Sequence, residues 1–87
     1  MPSFKVSLGV MPDYMFNKGG MRIDAVTQNR PAYKAGLIKG DIVIKLGEYD
    51  VEDMMGYMKA LSKFKSGDST SVVVKRDQDT IQKKITF

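Results

Sequence analysis

Five carboxylates, Asp24, Asp41, Glu48, Asp50 and Asp53, and one glycine inside the apolar run Val6-Ser7-Leu8-Gly9-Val10-Met11 are the features of this chain that invite a chemical reading. Grouped acids can serve as general acid and base, or hold a hard cation. These five fall in turns, at exposed strand positions and at a helix start, where solvation or capping accounts for them. The chain has no histidine and no cysteine. That removes the commonest general base, the commonest zinc ligands, every thiol nucleophile and any Ser-His-Asp arrangement. The chain is therefore read as no enzyme on its own, with no catalytic residue, no metal site and no cofactor. Gly9 is a different kind of signal. A glycine in an apolar run marks a bulge, or a place where another backbone approaches closely.

The elements that would position such a loop follow from spacing. Met21, Ile23 and Ala25 alternate with Arg22 and Asp24, the period of a half-buried strand. Pro31 suits the first position of a helix, where its missing N–H costs nothing, and Gly36 suits the left-handed residue that ends one. A short helix near 31–36 is expected. Gly40-Asp41 then turns the chain into the strand Ile42-Val43-Ile44. Met54, Met55, Tyr57, Met58, Leu61 and Phe64 recur at helical spacing behind the acidic Glu52-Asp53, giving a main helix near 53–64 with a broad apolar face. Thr70 to Lys75 and Thr80 to Phe87 read as two strands of a closing hairpin. Gln78 stands in its turn where a glycine would ease the geometry, so a longer or less regular loop is expected there.

Eighty-seven residues allow a single domain, 1–87, with 1–5 as a loose lead-in. No apolar stretch approaches the roughly 18 residues of a membrane span, and no signal-peptide pattern opens the chain. The formal charge of +4 raises nucleic-acid binding. The basic residues are scattered, however, with Lys75-Arg76 and Lys83-Lys84 the only adjacent pairs, and no aromatic platform is interleaved with them. Solvated strand faces explain the charge, so no nucleic-acid partner is expected.

Val26, Pro31, Ala32, Ala35, Gly36, Leu37, Gly40, Asp41, Ile42 and Val43, taken with their spacing, resemble the PDZ domain in the form attached to bacterial proteases. The resemblance runs from about Ser7 to the end. It implies an α+β fold: a small, partly open β-barrel or sandwich of about five to six strands, capped by two helices, in circularly permuted strand order. It also implies a function. The backbone amides of Leu8, Gly9 and Val10 would hold a peptide's C-terminal carboxylate as a nest of N–H groups. The peptide would add as a strand beside Met11 and Pro12, with Met54, Tyr57, Met58 and Leu61 forming the second wall. Pro12 lacks an N–H and so removes one rung of that ladder. Met54 stands where many such domains carry a histidine, which implies an apolar, adaptable pocket. The segment from Leu8 to Tyr14 with Gly20-Met21-Arg22-Ile23 looks most like the C-terminal PDZ domain of exported zinc aminopeptidases with a two-zinc catalytic domain. Serine proteases of the high-temperature-requirement type and tail-specific proteases carry similar domains. By this resemblance the chain is a piece of a larger periplasmic or otherwise extracytoplasmic protease, whose catalytic domain would be a partner and would hold any zinc. The alternative is a structural or regulatory domain that packs on its catalytic neighbour and captures no peptide.

Overall fold

The computed structural model describes residues 6–16 and 18–87, and the lead-in expected over 1–5 lies outside the described residues. Six strands and two helices follow one another: β1 (Val10–Pro12), β2 (Met21–Val26), α1 (Pro31–Ala35), β3 (Ile42–Leu46), β4 (Tyr49–Asp50), α2 (Met54–Leu61), β5 (Ser69–Arg76) and β6 (Asp79–Thr86). The sheet is antiparallel and runs β1-β2-β3-β5-β6, with β4 paired to β3. Its path does not close on itself, and β1 and β6 are its two ends. The fold is the α+β arrangement expected, with the glycine loop leading into the first strand and the hairpin closing the chain.

The alternation read from the sequence decides what is buried. Met21 and Ile23 of β2, Val43 and Leu46 of β3, Val72 and Val74 of β5 and Ile85 of β6 are all essentially inaccessible to solvent. Leu8, Ala32, Ala60 and Leu61 complete the same core. Each fully buried aliphatic side chain contributes about 1.5–3 kcal/mol. α1 lies against β6, and α2 packs on β3 and β4.

Local chemistry sets the element ends. Pro31 opens α1, and Gly36 closes it in the left-handed region at φ 85°. Gly36 N–H donates to the Tyr33 carbonyl and Leu37 N–H to that of Ala32, the paired bonds that terminate a helix. α2 begins at Asp53, whose carboxylate accepts from Gly56 N–H at 2.7 Å. It ends at Leu61, three residues before the expected Phe64. Lys63 and Phe64 donate instead to the carbonyls of Ala60 and Leu61, the tighter i to i−3 pattern in which helices often finish. Phe64 then turns to pack against Tyr49 and Phe87, with ring centroids 6.0 and 5.3 Å away.

Two expectations are corrected. The β5–β6 turn is not long or irregular: Arg76 pairs directly with Asp79, which leaves only Asp77 and Gln78 between the strands. Asp77 carries the positive φ, 57°, an excursion that Asp tolerates, so Gln78 is never asked for a glycine's conformation. Asp41 is also not a solvated turn residue. It is fully buried. Its carboxylate accepts from Arg76 Nε at 2.8 Å and Nη2 at 2.9 Å, and from Ile38 N–H at 3.0 Å. Burial pushes the Asp41 carboxyl up, but the Arg76 fork and the Ile38 N–H outweigh it and hold the group below its ordinary value. The same guanidinium donates to the Gly36 carbonyl, clamping the end of α1 to the hairpin.

Candidate functional site

The glycine loop is fixed from behind. Leu8 is wholly buried, and its carbonyl accepts from Ala32 N–H at 2.9 Å, at the start of α1. The Gly9 carbonyl accepts from Thr27 N–H at 2.8 Å, just beyond β2. Between these ties Gly9 takes φ 75°, in the left-handed region that glycine enters freely. A side chain there would also collide with Arg30, whose Cγ would lie 2.7 Å from the new Cβ. The close approach that a glycine in an apolar run signals is thus made by a side chain of this same chain. Gly9 N–H donates to Ser7 Oγ at 3.0 Å.

β1 is an edge strand, and its register says which of its groups face outward. Gly9 and Asp13 bond inward, to Thr27 and to the Arg22 carbonyl at 2.8 Å each. Backbone groups in an antiparallel strand alternate in direction. Met11 therefore faces β2, while the N–H and C=O of Val10 and the C=O of Pro12 face the open edge. The register slips between Met11 and Pro12, which lie opposite Ala25 and Ile23. The extra residue, Asp24, is on β2, so the alternation along β1 is unbroken. A salt bridge from Arg22 Nη1 to Asp13 Oδ2, 2.9 Å, closes the far end of the strand.

The six residues expected to line a groove are distributed unevenly. Tyr57 and Leu61 are buried in the core. Met54 is half-buried and packs against the same cluster. Met58 and Met11 are exposed, at 41% and 57%, and Pro12 is half-buried. Of the loop residues, Leu8 belongs to the core and Val10 packs at its margin. Met11 on the edge strand and Met58 on α2 are exposed methionines, and so is Met55 of α2, at 79%.

Three residues enter the site that spacing did not single out. Tyr14, on the loop after β1, lies near enough to Tyr57 to reinforce what burial does: both push the Tyr57 hydroxyl well above its ordinary value. Ser7 and Arg30 flank the glycine loop and line a cavity of about 430 Å³, together with Asn29, Lys34, Val6 and Phe87. Contacts across more than twenty residues, such as Arg30 on Gly9, leave no periodic trace in a sequence. No group of acids that could hold a metal ion occurs among the described residues, and no helix there is long and apolar enough to cross a membrane.

Comparison with known proteins agrees with this fold. A serine protease Do-like HtrA of Lactobacillus helveticus is 32% identical over 68 residues, 78% of this chain and 16% of that protein. A protein of Staphylococcus aureus strain N315 described as a zinc metalloprotease is 34% identical over 64 residues, 74% of this chain and 15% of its own length. The chain thus spans about one-sixth of the curated relatives it matches. Among solved structures, an aminopeptidase N family protein from Idiomarina loihiensis superposes with a TM-score of 0.84 at 21% identity, over 94% of this chain and 14% of that one. The HtrA-type protease AlgW, solved with a decapeptide, superposes with a TM-score of 0.82 at 20% identity, over 92% of this chain and 28% of that one. At these identities the solved structures speak for the fold alone. The PDZ domain family model matches residues 6–86, nearly the whole length, and the chain belongs to the PDZ domain family.

Proposed function

We propose that this chain is the peptide-binding PDZ module of a larger bacterial protease, and that it captures peptide or protein C-termini by strand addition along the open edge of β1. The observation that carries the reading is the outward Val10 N–H and C=O, placed directly after a glycine loop whose backbone is pinned by Ala32 and Thr27. An extended peptide laid antiparallel to β1 would present its terminal carboxylate to Leu8, Gly9 and Val10. Its side chains would lie against Met11, Pro12 and the α2 face formed by Met54, Tyr57, Met58 and Leu61. Methionine suits such a wall because its thioether adapts to varied apolar partners.

The parent protein is proposed to be an extracytoplasmic peptidase, in the first instance a zinc aminopeptidase. That choice rests on the resemblance of the segment from Leu8 to Tyr14, with Gly20-Met21-Arg22-Ile23, to the PDZ domains of such enzymes. Hydrolysis, and any zinc, would belong to the catalytic domain beside this single-domain module. The test is an amide-shift titration with an apolar-ended peptide and its C-terminally amidated twin. Saturable shifts at Leu8, Gly9, Val10 and along α2, abolished by amidation, are expected. Flat spectra at millimolar peptide would refute peptide capture.

Pro12 favours a second reading. It stands at an outward position of the edge strand and has no N–H to offer, a feature of strands blunted against pairing. In that case the exposed methionines would pack on the catalytic domain, and the module would regulate it or hold it in place without binding a chain end.

A further inference from the structure

We propose that Met11 on β1 and Met58 on α2 form a site of reversible oxidation by hydrogen peroxide, and that their conversion to sulfoxides weakens peptide binding while the fold persists. The effect on binding rests on the peptide-binding reading above and deepens it. The first observation is how the chain divides two side chains of similar size. All four leucines, Leu8, Leu37, Leu46 and Leu61, are buried, none above 6% exposed. The methionines go the other way. Met11, Met15, Met55 and Met58 are 57%, 90%, 79% and 41% exposed, and they are four of the seven exposed large apolar side chains among the described residues. Met54 is half-buried, and Met21 alone among the described methionines lies in the core, at 1%. Leucine and methionine exchange at little cost in packing. A partition this marked therefore turns on what methionine alone carries, a flexible stem and an oxidisable sulfur.

The second observation is placement. Met11 is the middle residue of β1, exposed between the half-buried Val10 and Pro12. Met58 lies three residues after Met55 and four after Met54, so all three are neighbours on the surface of α2. The exposed sulfurs thus sit on the strand and the helix that would flank a peptide. The third observation is what peroxide would spare. The chain has no cysteine and no tryptophan, and the core around Met21 is otherwise built of side chains without sulfur. Oxidation would therefore stop at the surface.

The step is a two-electron oxygen transfer. The thioether sulfur attacks one peroxide oxygen, the O–O bond breaks and an S–O bond forms. The departing hydroxide takes up the proton that the transferred oxygen sheds and leaves as water. Sulfur is oxidised and peroxide is reduced. The new oxygen is a hydrogen-bond acceptor, and an apolar ligand side chain laid against it offers no donor. A methionine sulfoxide reductase reverses the change, removing the oxygen as water while a dithiol becomes a disulfide.

The test uses the chain, a Met15→Leu variant and a double variant carrying Met11→Leu and Met58→Leu, each first shown to keep the native amide dispersion. Each is treated with hydrogen peroxide, freed of it, and mapped by peptide mass spectrometry. Each is then titrated with an apolar-ended pentapeptide acid that itself lacks methionine and compared with its own untreated form, so any effect of the substitution divides out. Met15, Met55, Met11 and Met58 are expected to gain oxygen well before Met21, with the amide dispersion retained. Affinity of the wild type and of Met15→Leu should fall about fivefold or more, and reductase should restore it. The double variant should stay within about twofold of its own untreated value, although Met15 and Met55 are still oxidised. If Met11 and Met58 are oxidised and affinity is unchanged, the proposal fails and peptide capture stands. It fails equally if the double variant loses as much as wild type, if Met21 reacts as fast as the exposed methionines, or if the loss of binding accompanies loss of amide dispersion. If the untreated wild type binds no peptide, capture itself is refuted and the effect on binding falls with it.

Discussion

Replacing Pro12 with valine tests the strand-addition geometry most directly. The inward bonds of Gly9 to Thr27 and of Asp13 to Arg22 fix the direction of every backbone group between them. Val10 offers an incoming strand a donor and an acceptor, whereas Pro12 offers only an acceptor. Valine restores the missing N–H at an outward position, and its β-branched side chain suits a strand. One added hydrogen bond is worth about 0.5–1.5 kcal/mol, so affinity for a peptide acid should rise about two- to tenfold. The assay is the dissociation constant from amide-shift titration, with the new Val amide resonance itself expected to move downfield on binding. Freeing the edge also removes a guard against pairing between copies, so the titration should be repeated at several protein concentrations. An unchanged constant in a chain that does bind peptide would refute the reasoning, because the ligand would then not lie along β1 in this register. No binding by either form would favour the module that packs on its catalytic neighbour.

Two further substitutions separate core from surface on α2. Leu61→Ala should cost about 2–5 kcal/mol in denaturant unfolding, because Leu61 is buried in the main cluster. Met58→Ala, at a side chain 41% exposed, should leave stability within about 0.5 kcal/mol and weaken peptide binding instead; a large loss of stability would show that Met58 is a core residue. Asp41 gives a pH prediction. Its carboxyl is held below the ordinary 3.8, so the stability it supplies is fully present above that pH and disappears as pH falls through the lowered value. Asp41→Asn should destabilise at neutral pH by about 2 kcal/mol, roughly 10 °C in melting temperature for a domain of this size. The variant should also lose less stability than wild type on acidification below pH 4. Parallel acid limbs for the two proteins would show that other carboxylates govern acid unfolding.

What the sequence made legible is what is encoded locally. Pro31 and Gly36 bracket α1 as their backbone preferences require, Met21 and Ile23 alternate into the core, and Asp53 caps α2. The edge position of β1 was implied by family resemblance, since alternation says which face a strand buries and nothing about which neighbour it lacks. The partner of Asp41 was not legible, because Arg76 lies thirty-five residues away and an acid after a glycine reads equally well as a turn. The tightness of the last turn was missed for a related reason. The left-handed residue is Asp77, not Gln78. At the loop, Gly9 stands out in the sequence because it interrupts an apolar run, whereas the contacts of Ser7 and Arg30 with it exist only in the folded chain.

The geometry of β1 also bounds how this site can bind. The strand is three residues long and fastened at both ends, by Thr27 beside Gly9 and by Arg22 beside Asp13. An incoming chain would meet a pre-formed edge, so the cost of ordering falls on the ligand. That edge presents three outward groups: two on Val10 and one on Pro12. At about 1 kcal/mol for each bond, the backbone ladder supplies about 3 kcal/mol, short of the roughly 4 kcal/mol that even a millimolar complex needs. Useful affinity therefore has to come from the two ends of the contact that the ladder does not include. One is the chain terminus at the Gly9 loop. The other is apolar burial against Met11 and Met58. On the peptide-binding reading, selectivity would lie in what a chain ends in and in how apolar its last residues are, while the short and proline-interrupted edge would contribute alignment more than strength.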